Sequence, residues 1–301
     1  MASLSLVVVV LLQVAHCLER PKHVQEALSS GHNLYYFGLG SNMLRSKVEN
    51  RGINNTKIDL LSMEPAVVPN YRLAFNMRGF LPLEPGMGSL EAINATSRPL
   101  LAYDQPECHG ALICVTPENY ERIMRSEGVS DNSTGGYEEV VVDAYPYGST
   151  EPVQAVALRA RNRLAKDPAP SLRYMTILRE GAAELGLKPC YRDFLDRHPV
   201  QQVPRWLRRL AVHNLIFTFT LSFKLKKRWF SKAQSWLLFR WYHPSPGWWR
   251  NGLTALVLSP GAAVGALIRR KASQNMPPFL QRMLDLMEEE PSRTKNATAA
   301  Q

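Results

Sequence analysis

Between Arg197 and Leu284 the chain carries fifteen Lys or Arg and not one Asp or Glu. All six tryptophans (Trp206, Trp229, Trp236, Trp241, Trp248 and Trp249) fall in the same stretch. The remainder holds twenty-one cations against twenty-six anions. A shift this abrupt marks a boundary near residue 200. A compact, mildly acidic domain is expected before it and a basic, aromatic extension after it.

At 301 residues the chain has room for one sizeable core plus an appendage. With 45% hydrophobic and 21% charged residues, collagen-like, coiled-coil and wholly disordered chains are excluded. Four cysteines are too few for a disulfide scaffold. Cys17 leaves with any signal peptide, Cys114 reads as core, and a Cys108–Cys190 bridge ranks behind free thiols. The neighbours Cys108 and His109 read as strand residues rather than a nucleophile and its base. No Cys/His spacing has the form of a zinc site, so no metal is expected. The apolar run Leu4–Val14 has the length of a signal-peptide h-region and is too short to span a bilayer. Residues 1–17 are therefore read as a signal peptide or hydrophobic leader. Sequons at Asn54, Asn94, Asn132 and Asn296 favour a secretory or endomembrane glycoprotein over a cytoplasmic protein.

Within the first domain, Leu34–Phe37, Tyr71–Asn76, Gly110–Val115, Tyr137–Tyr145 and Val153–Arg159 read as strands. A helix is expected over Met43–Asn50. Thr116 followed by Pro117 starts another that runs to Ser126 ahead of Gly128. Ser171 caps a third, with Leu172, Met175, Leu178, Ala182 and Leu185 on one face and Gly186 as its stop. Strands outnumber helices without alternating regularly with them. The expected class is α+β, a small mixed β-barrel with packed helices, rather than a doubly wound sheet.

Gly38-Leu39-Gly40 follows a strand but has Met43 where a dinucleotide fingerprint needs its third glycine, and no Walker lysine follows. What remains is a strand-to-helix turn whose backbone N–H groups suit a carboxylate or an oxyanion. Glu127, at a helix end before Gly128 and Val129, is the second point of interest. Taken alone, the first is an ordinary turn and the second a solvated surface residue.

The combination resembles the γ-glutamylcyclotransferase family. Its motifs are matched in order by Tyr36-Phe37-Gly38-Leu39-Gly40-Ser41-Asn42, by Ser126-Glu127-Gly128-Val129 with Gly136-Tyr137, and by Pro170-Ser171-Leu172-Arg173-Tyr174. Leu39 stands where the family usually has tyrosine, and the loop from Glu127 to Tyr137 is longer than usual. The resemblance implies a catalytic domain over residues 31–200. It also implies a carbon–nitrogen lyase reaction that closes the γ-glutamyl group of γ-glutamyl amino acids, or of glutathione-derived conjugates, to 5-oxoproline and frees an amine. Glu127 is then the acid/base residue. Tyr36, Phe37, Gly38, Leu39, Gly40, Ser41 and Tyr174 form the substrate-binding set, with Tyr137 as core. Neither metal nor organic cofactor is needed. The rival reading is a non-catalytic ligand-binding or membrane-associated scaffold on the same fold.

Residues 203–284 hold two uncharged, largely apolar runs, Val212–Phe223 and Leu253–Ile268. The second is broken in the sequence by Ser259-Pro260-Gly261. Lys224, Lys226, Lys227 and Arg228 flank the first; Arg269, Arg270 and Lys271 flank the second. The pattern fits an anionic membrane surface better than nucleic acid. An extra helical lobe is the alternative. Residues 285–301 read as a disordered tail.

Overall fold

The computed structural model describes residues 20–51, 57–93, 106–129, 136–219 and 248–272. The leader with Cys17, all four sequons, part of the Glu127–Tyr137 loop (130–135) and the tail 285–301 lie outside these residues. The described chain runs α1 (Lys22–Ser30), β1 (Leu34–Gly38), a 3-10 turn (Gly40–Met43), α2 (Arg45–Glu49), β2 (Ser62–Pro69), β3 (Tyr71–Phe80) and β4 (Glu84–Ala92). There follow β5 (Glu107–Val115), α3 (Pro117–Ser126), β6 (Tyr137–Pro146), β7 (Val153–Ala160), α4 (Leu172–Glu184), α5 (Pro189–Arg197), α6 (Arg205–Phe219) and α7 (Trp248–Ala272). Contacts divide it into two units. The first comprises Met1–Met77, Gly88–Ala165 and Ile177–His198; the second comprises Arg78–Met87, Lys166–Thr176 and Pro199–Gln301.

The first unit is built on a closed barrel of order β1-β5-β2-β6-β7. Its pairs are antiparallel except at the closure, where β1 meets β7 in parallel with Tyr36 opposite Val156. The expected mixed barrel with packed helices is thus the architecture found. Closure removes the free strand edges that a small sheet would otherwise expose. One core cluster joins Tyr36, Ala111, Ile113, Val115, Val156 and Leu158 of the strands to Tyr120, Ile123 and Met124 of α3. Val24, Ala27 and Leu28 of α1 pack on it. Tyr137 is core, as expected, and its hydroxyl donates to the Gly88 carbonyl at 2.9 Å.

Two strands are absent from the sequence reading. β2 contains Pro65 and Pro69, which lack the N–H a ladder needs, yet it pairs with β5 along its whole length. Its pairing with β6 is confined to Ala66 and Val67, so one side of the strand asks little of its prolines. β4 includes Pro85, Gly86 and Gly88 and pairs with β3 in a separate two-stranded sheet.

The single helix expected over Met43–Asn50 is instead a 3-10 turn and a short α-helix, separated by Leu44 in an extended conformation. Gly181 of α4 crosses this break. A Cβ there would lie 2.7 Å from the Leu44 nitrogen and 2.8 Å from the Met43 carbonyl carbon, so only glycine permits the approach.

In the second unit α6 and α7 form a closely packed pair. Leu207, Ala211, Val212, Leu215 and Ile216 of α6 meet Leu258 of α7. The approach depends on glycine: a Cβ at Gly265 would fall 1.7 Å from the His213 carbonyl oxygen. The break expected at Ser259-Pro260-Gly261 is not one, because α7 runs through Pro260. Pro260 and Leu256, whose carbonyl loses its partner, both lie on the exposed side of α7, where water can satisfy the orphan.

Candidate active site

The segment Glu127-Gly128-Val129 is a helix terminus with a defined hydrogen-bond pattern. Thr116 caps the start of α3, its hydroxyl accepting from the Asn119 N–H at 3.4 Å, with Pro117 in the first turn. At the other end Gly128 takes φ +71°, a left-handed conformation that costs a side-chain residue about 1–2 kcal/mol. Its N–H donates to the Arg125 carbonyl at 3.2 Å, and that of Val129 to the Met124 carbonyl at 3.0 Å. This is a Schellman cap, and Val129 packs into the cluster that holds Met124. Nothing lies within 4 Å of a Cβ built on Gly128, so the glycine is required by conformation, not by space. Glu127 is the residue at which helical geometry ends.

Its side chain is 14% exposed. Oε1 accepts from Asn42 Nδ2 at 2.7 Å and forms an ion pair with Arg51 Nη2 at 2.7 Å. Among the described residues no group bonds Oε2. Asn42 lies in the 3-10 turn and is buried. Its Nδ2 also donates to the Tyr36 hydroxyl at 2.6 Å, and its Oδ1 accepts from Arg51 Nη2 at 2.5 Å. Arg51 Nη1 donates to Ser126 Oγ at 3.1 Å. Tyr36 from β1, Asn42 from the turn, Arg51 from beyond α2 and Ser126–Glu127 from α3 therefore make one network within the first unit.

The glycine turn lies alongside. Gly40 has φ +65°. A Cβ on Gly38 would meet the Asn42 carbonyl oxygen at 3.0 Å and Ile113 Cδ1 at 3.1 Å. Phe37, Gly38, Leu39 and Gly40 are buried and Ser41 is half-buried. Tyr174 is also buried but belongs to the second unit, where its N–H donates to the capping Ser171 Oγ at 3.0 Å.

The structure thus places Tyr36 and Glu127 in one network. Asn42, Arg51 and Ser126 join it, although the sequence reading assigned them no role at the site. Asn42 closes the Tyr36–Asn42 motif, and that neighbourhood is a usable signal. Arg51 had none, since its partner Glu127 is far along the chain.

Elsewhere in the first unit a second polar chain is fully paired. The Lys188 N–H donates to the Tyr147 hydroxyl at 3.2 Å, Tyr147 meets His109 Nδ1 at 2.5 Å, and His109 Nε2 meets Glu107 Oε1 at 2.8 Å. This ordering suits a neutral imidazole that accepts at Nδ1 and donates at Nε2. Burial pulls the His109 pKa below its ordinary value against the opposing pull of Glu107. Cys108, Cys114 and Cys190 are free thiols. Burial pushes the Cys108 thiol up to about 12, which leaves it inert as a nucleophile.

No family model matches the chain. It is 30% identical over 207 residues to the γ-glutamyl cyclotransferase gliK of Aspergillus fumigatus, covering 64% of this chain and 71% of that protein. It is 27% identical over 200 residues to the γ-glutamyl cyclotransferase gliK of Claviceps purpurea, covering 62% and 85%. A solved γ-glutamyl cyclotransferase structure is similar with a TM-score of 0.45 at 18% identity, over 57% of this chain and 91% of that one. On the identity and coverage shared with the Aspergillus protein, the chain belongs to the γ-glutamyl cyclotransferase family.

Proposed function

We propose that this chain catalyses γ-glutamyl cyclotransfer with Glu127 as its acid/base group. The substrate's α-amine attacks its own γ-carbonyl, a five-membered ring closes, and the bond from that carbonyl to the leaving nitrogen breaks. At neutral pH the α-amine is largely protonated and cannot attack. A carboxylate takes that proton and later gives it to the departing amine. The observation that carries the reading is the Glu127 carboxylate, mostly buried and anchored through one oxygen beside the Gly38–Ser41 turn. Backbone N–H groups of that turn are the proposed donors to the substrate carboxylate or the tetrahedral oxyanion. One such donor is typically worth about 3 kcal/mol of transition-state stabilisation. Within the first unit, Tyr36, Phe37 and Leu39 complete the proposed substrate-binding set. Because attack is intramolecular, holding the substrate folded supplies further rate. The test is release of 5-oxoproline by the full chain from a panel of γ-glutamyl dipeptides and glutathione S-conjugates. Product from at least one class is expected. No product from any favours a binding protein on this fold.

The second unit supports a proposed contact with an anionic membrane surface. Leu253, Leu256, Pro260, Val264 and Leu267 are exposed and recur at three- and four-residue intervals along α7, which puts them on one face. Small residues occupy the opposite face, where Gly261, Ala262 and Gly265 are buried. Among the described residues no helix is long and apolar enough to cross a membrane, so the contact proposed is superficial. The fifteen cations between Arg197 and Leu284 would attract anionic headgroups. Flotation of the full chain with phosphatidylserine vesicles, weakened by salt and lost in the double variant Leu256→Asp/Leu267→Asp, is the expected result. No flotation with any vesicle rejects the contact.

A further inference from the structure

The structure assigns Arg51 a positioning role: with Asn42 it ties down Oε1 of Glu127 and leaves Oε2 as the oxygen that exchanges the proton. This rests on the cyclotransferase reading above and specifies its machinery.

A carboxylate used as a base must stay in one orientation and expose a free lone pair to the substrate amine. Glu127 is held at a single oxygen. Asn42 Nδ2 donates to Oε1 at 2.7 Å, Arg51 Nη2 pairs with the same oxygen at 2.7 Å, and no described residue bonds Oε2. The amide of Asn42 acts in this way only if its oxygen faces away from the carboxylate. Arg51 enforces that orientation, because its guanidinium occupies Oδ1 at 2.5 Å and has no acceptor to offer in return. Arg51 therefore acts on Glu127 twice, directly and by orienting the Asn42 amide.

Two other roles are distinguishable from it. A guanidinium keeps its proton at any working pH, so Arg51 is not an acid in the reaction. As a clamp for the substrate carboxylate it would need donors to spare. Only the second Nη1 proton could serve there, because Nη2 faces Asn42 Oδ1 and Glu127 Oε1, the other Nη1 proton serves Ser126 Oγ, and Nε is buried. A positioning residue changes turnover while leaving substrate affinity in place, which separates it from a clamp.

The experiment measures kcat and KM for 5-oxoproline release by the full chain with its best γ-glutamyl substrate. The variants are Arg51→Gln, Arg51→Lys, Glu127→Gln and the double variant Arg51→Gln/Glu127→Gln. Arg51→Gln is expected to lose about thirtyfold in kcat with KM changed by less than about threefold. Arg51→Lys, which restores a charge but not the planar fork, should recover about threefold to tenfold of that loss. The double variant should be no slower than Glu127→Gln by more than about twofold, since Arg51 acts through the carboxylate. Should Arg51→Gln lack a folded melting transition, Arg51→Lys carries the test, and a kcat-specific loss is still expected of it. A raised KM at unchanged kcat would overturn the role by placing the guanidinium on the substrate. Additive losses in the double variant, or full turnover in Arg51→Lys and Arg51→Gln, would overturn it too. If the unsubstituted chain releases no 5-oxoproline from any substrate, the proposed function fails first and this role falls with it.

Discussion

Glu127 and Glu84, one in each unit, are both mostly buried carboxylates paired with an arginine, and they are built differently. Glu84 has both oxygens engaged. Oε2 accepts from Ser171 Oγ at 2.6 Å, and Oε1 accepts from Arg173 Nε at 2.7 Å and Nη2 at 2.6 Å. Ser171 in turn caps α4. Glu127 has Oε1 held from two sides and Oε2 without a described partner. The saturated carboxylate is a fastening, and the half-satisfied one is the proposed reagent.

The sharpest way to break this contrast is Glu127→Gln. It keeps size and hydrogen bonding but cannot accept the proton. Turnover is expected to fall by at least about a hundredfold with the melting temperature changed by only a few degrees. Near-normal turnover would remove Glu127 from the mechanism. The glycine turn comes next. At φ +65°, Gly40→Val should cost about tenfold or more in kcat/KM, a larger loss than Ser41→Ala, which leaves every backbone donor in place. The reverse ranking would transfer the holding from backbone to hydroxyl.

Glu84→Ala should behave in the opposite sense to Glu127→Gln. Removing it strips partners from Arg173 and Ser171 together, and a loss of about 2–3 kcal/mol in unfolding free energy is expected. Per folded molecule, turnover should stay within about threefold. Chemical denaturation and kinetics on the same preparation separate the two. The smallest effect belongs to His109, another fully paired group. Its folded pKa lies below the ordinary value because burial disfavours the charge. The unfolded chain then binds the extra proton first, so stability is full above about pH 6.5, the unfolded value, and declines as pH falls below it. His109→Gln should make that acid-side decline shallower in pH-dependent melting. An unchanged slope would assign the decline to other groups.

Much of the barrel was legible because its strands carry the usual signals. The aromatic run before Gly38, the apolar run ending at Val115 and the β-branched run beginning at Tyr137 all became strands at nearly the expected bounds. Glu127 was legible as a helix end because Pro117 and Gly128 punctuate α3 at both termini. β2 and β4 were not, because proline and glycine mark turns locally while barrel pairing is set by distant strands. Arg51 was illegible for the same reason. It follows a five-residue helix among ordinary polar residues, and the groups it binds at the end of α3 arrive more than seventy positions later. Propensity is local, whereas a polar network is defined by what the fold brings to it.

The Schellman cap on α3 also makes the site sensitive to counting. Each helical residue advances the chain by about 100° and 1.5 Å, so the direction in which Glu127 projects is fixed by the number of residues after Thr116. One residue inserted within α3 would swing the carboxylate about a quarter-turn away from Asn42 and Arg51. An insertion after Val129 leaves that bearing untouched, because the cap closes the helix before the extra length begins. The segment beyond the cap can therefore lengthen without turning Glu127, while α3 itself must keep its tally.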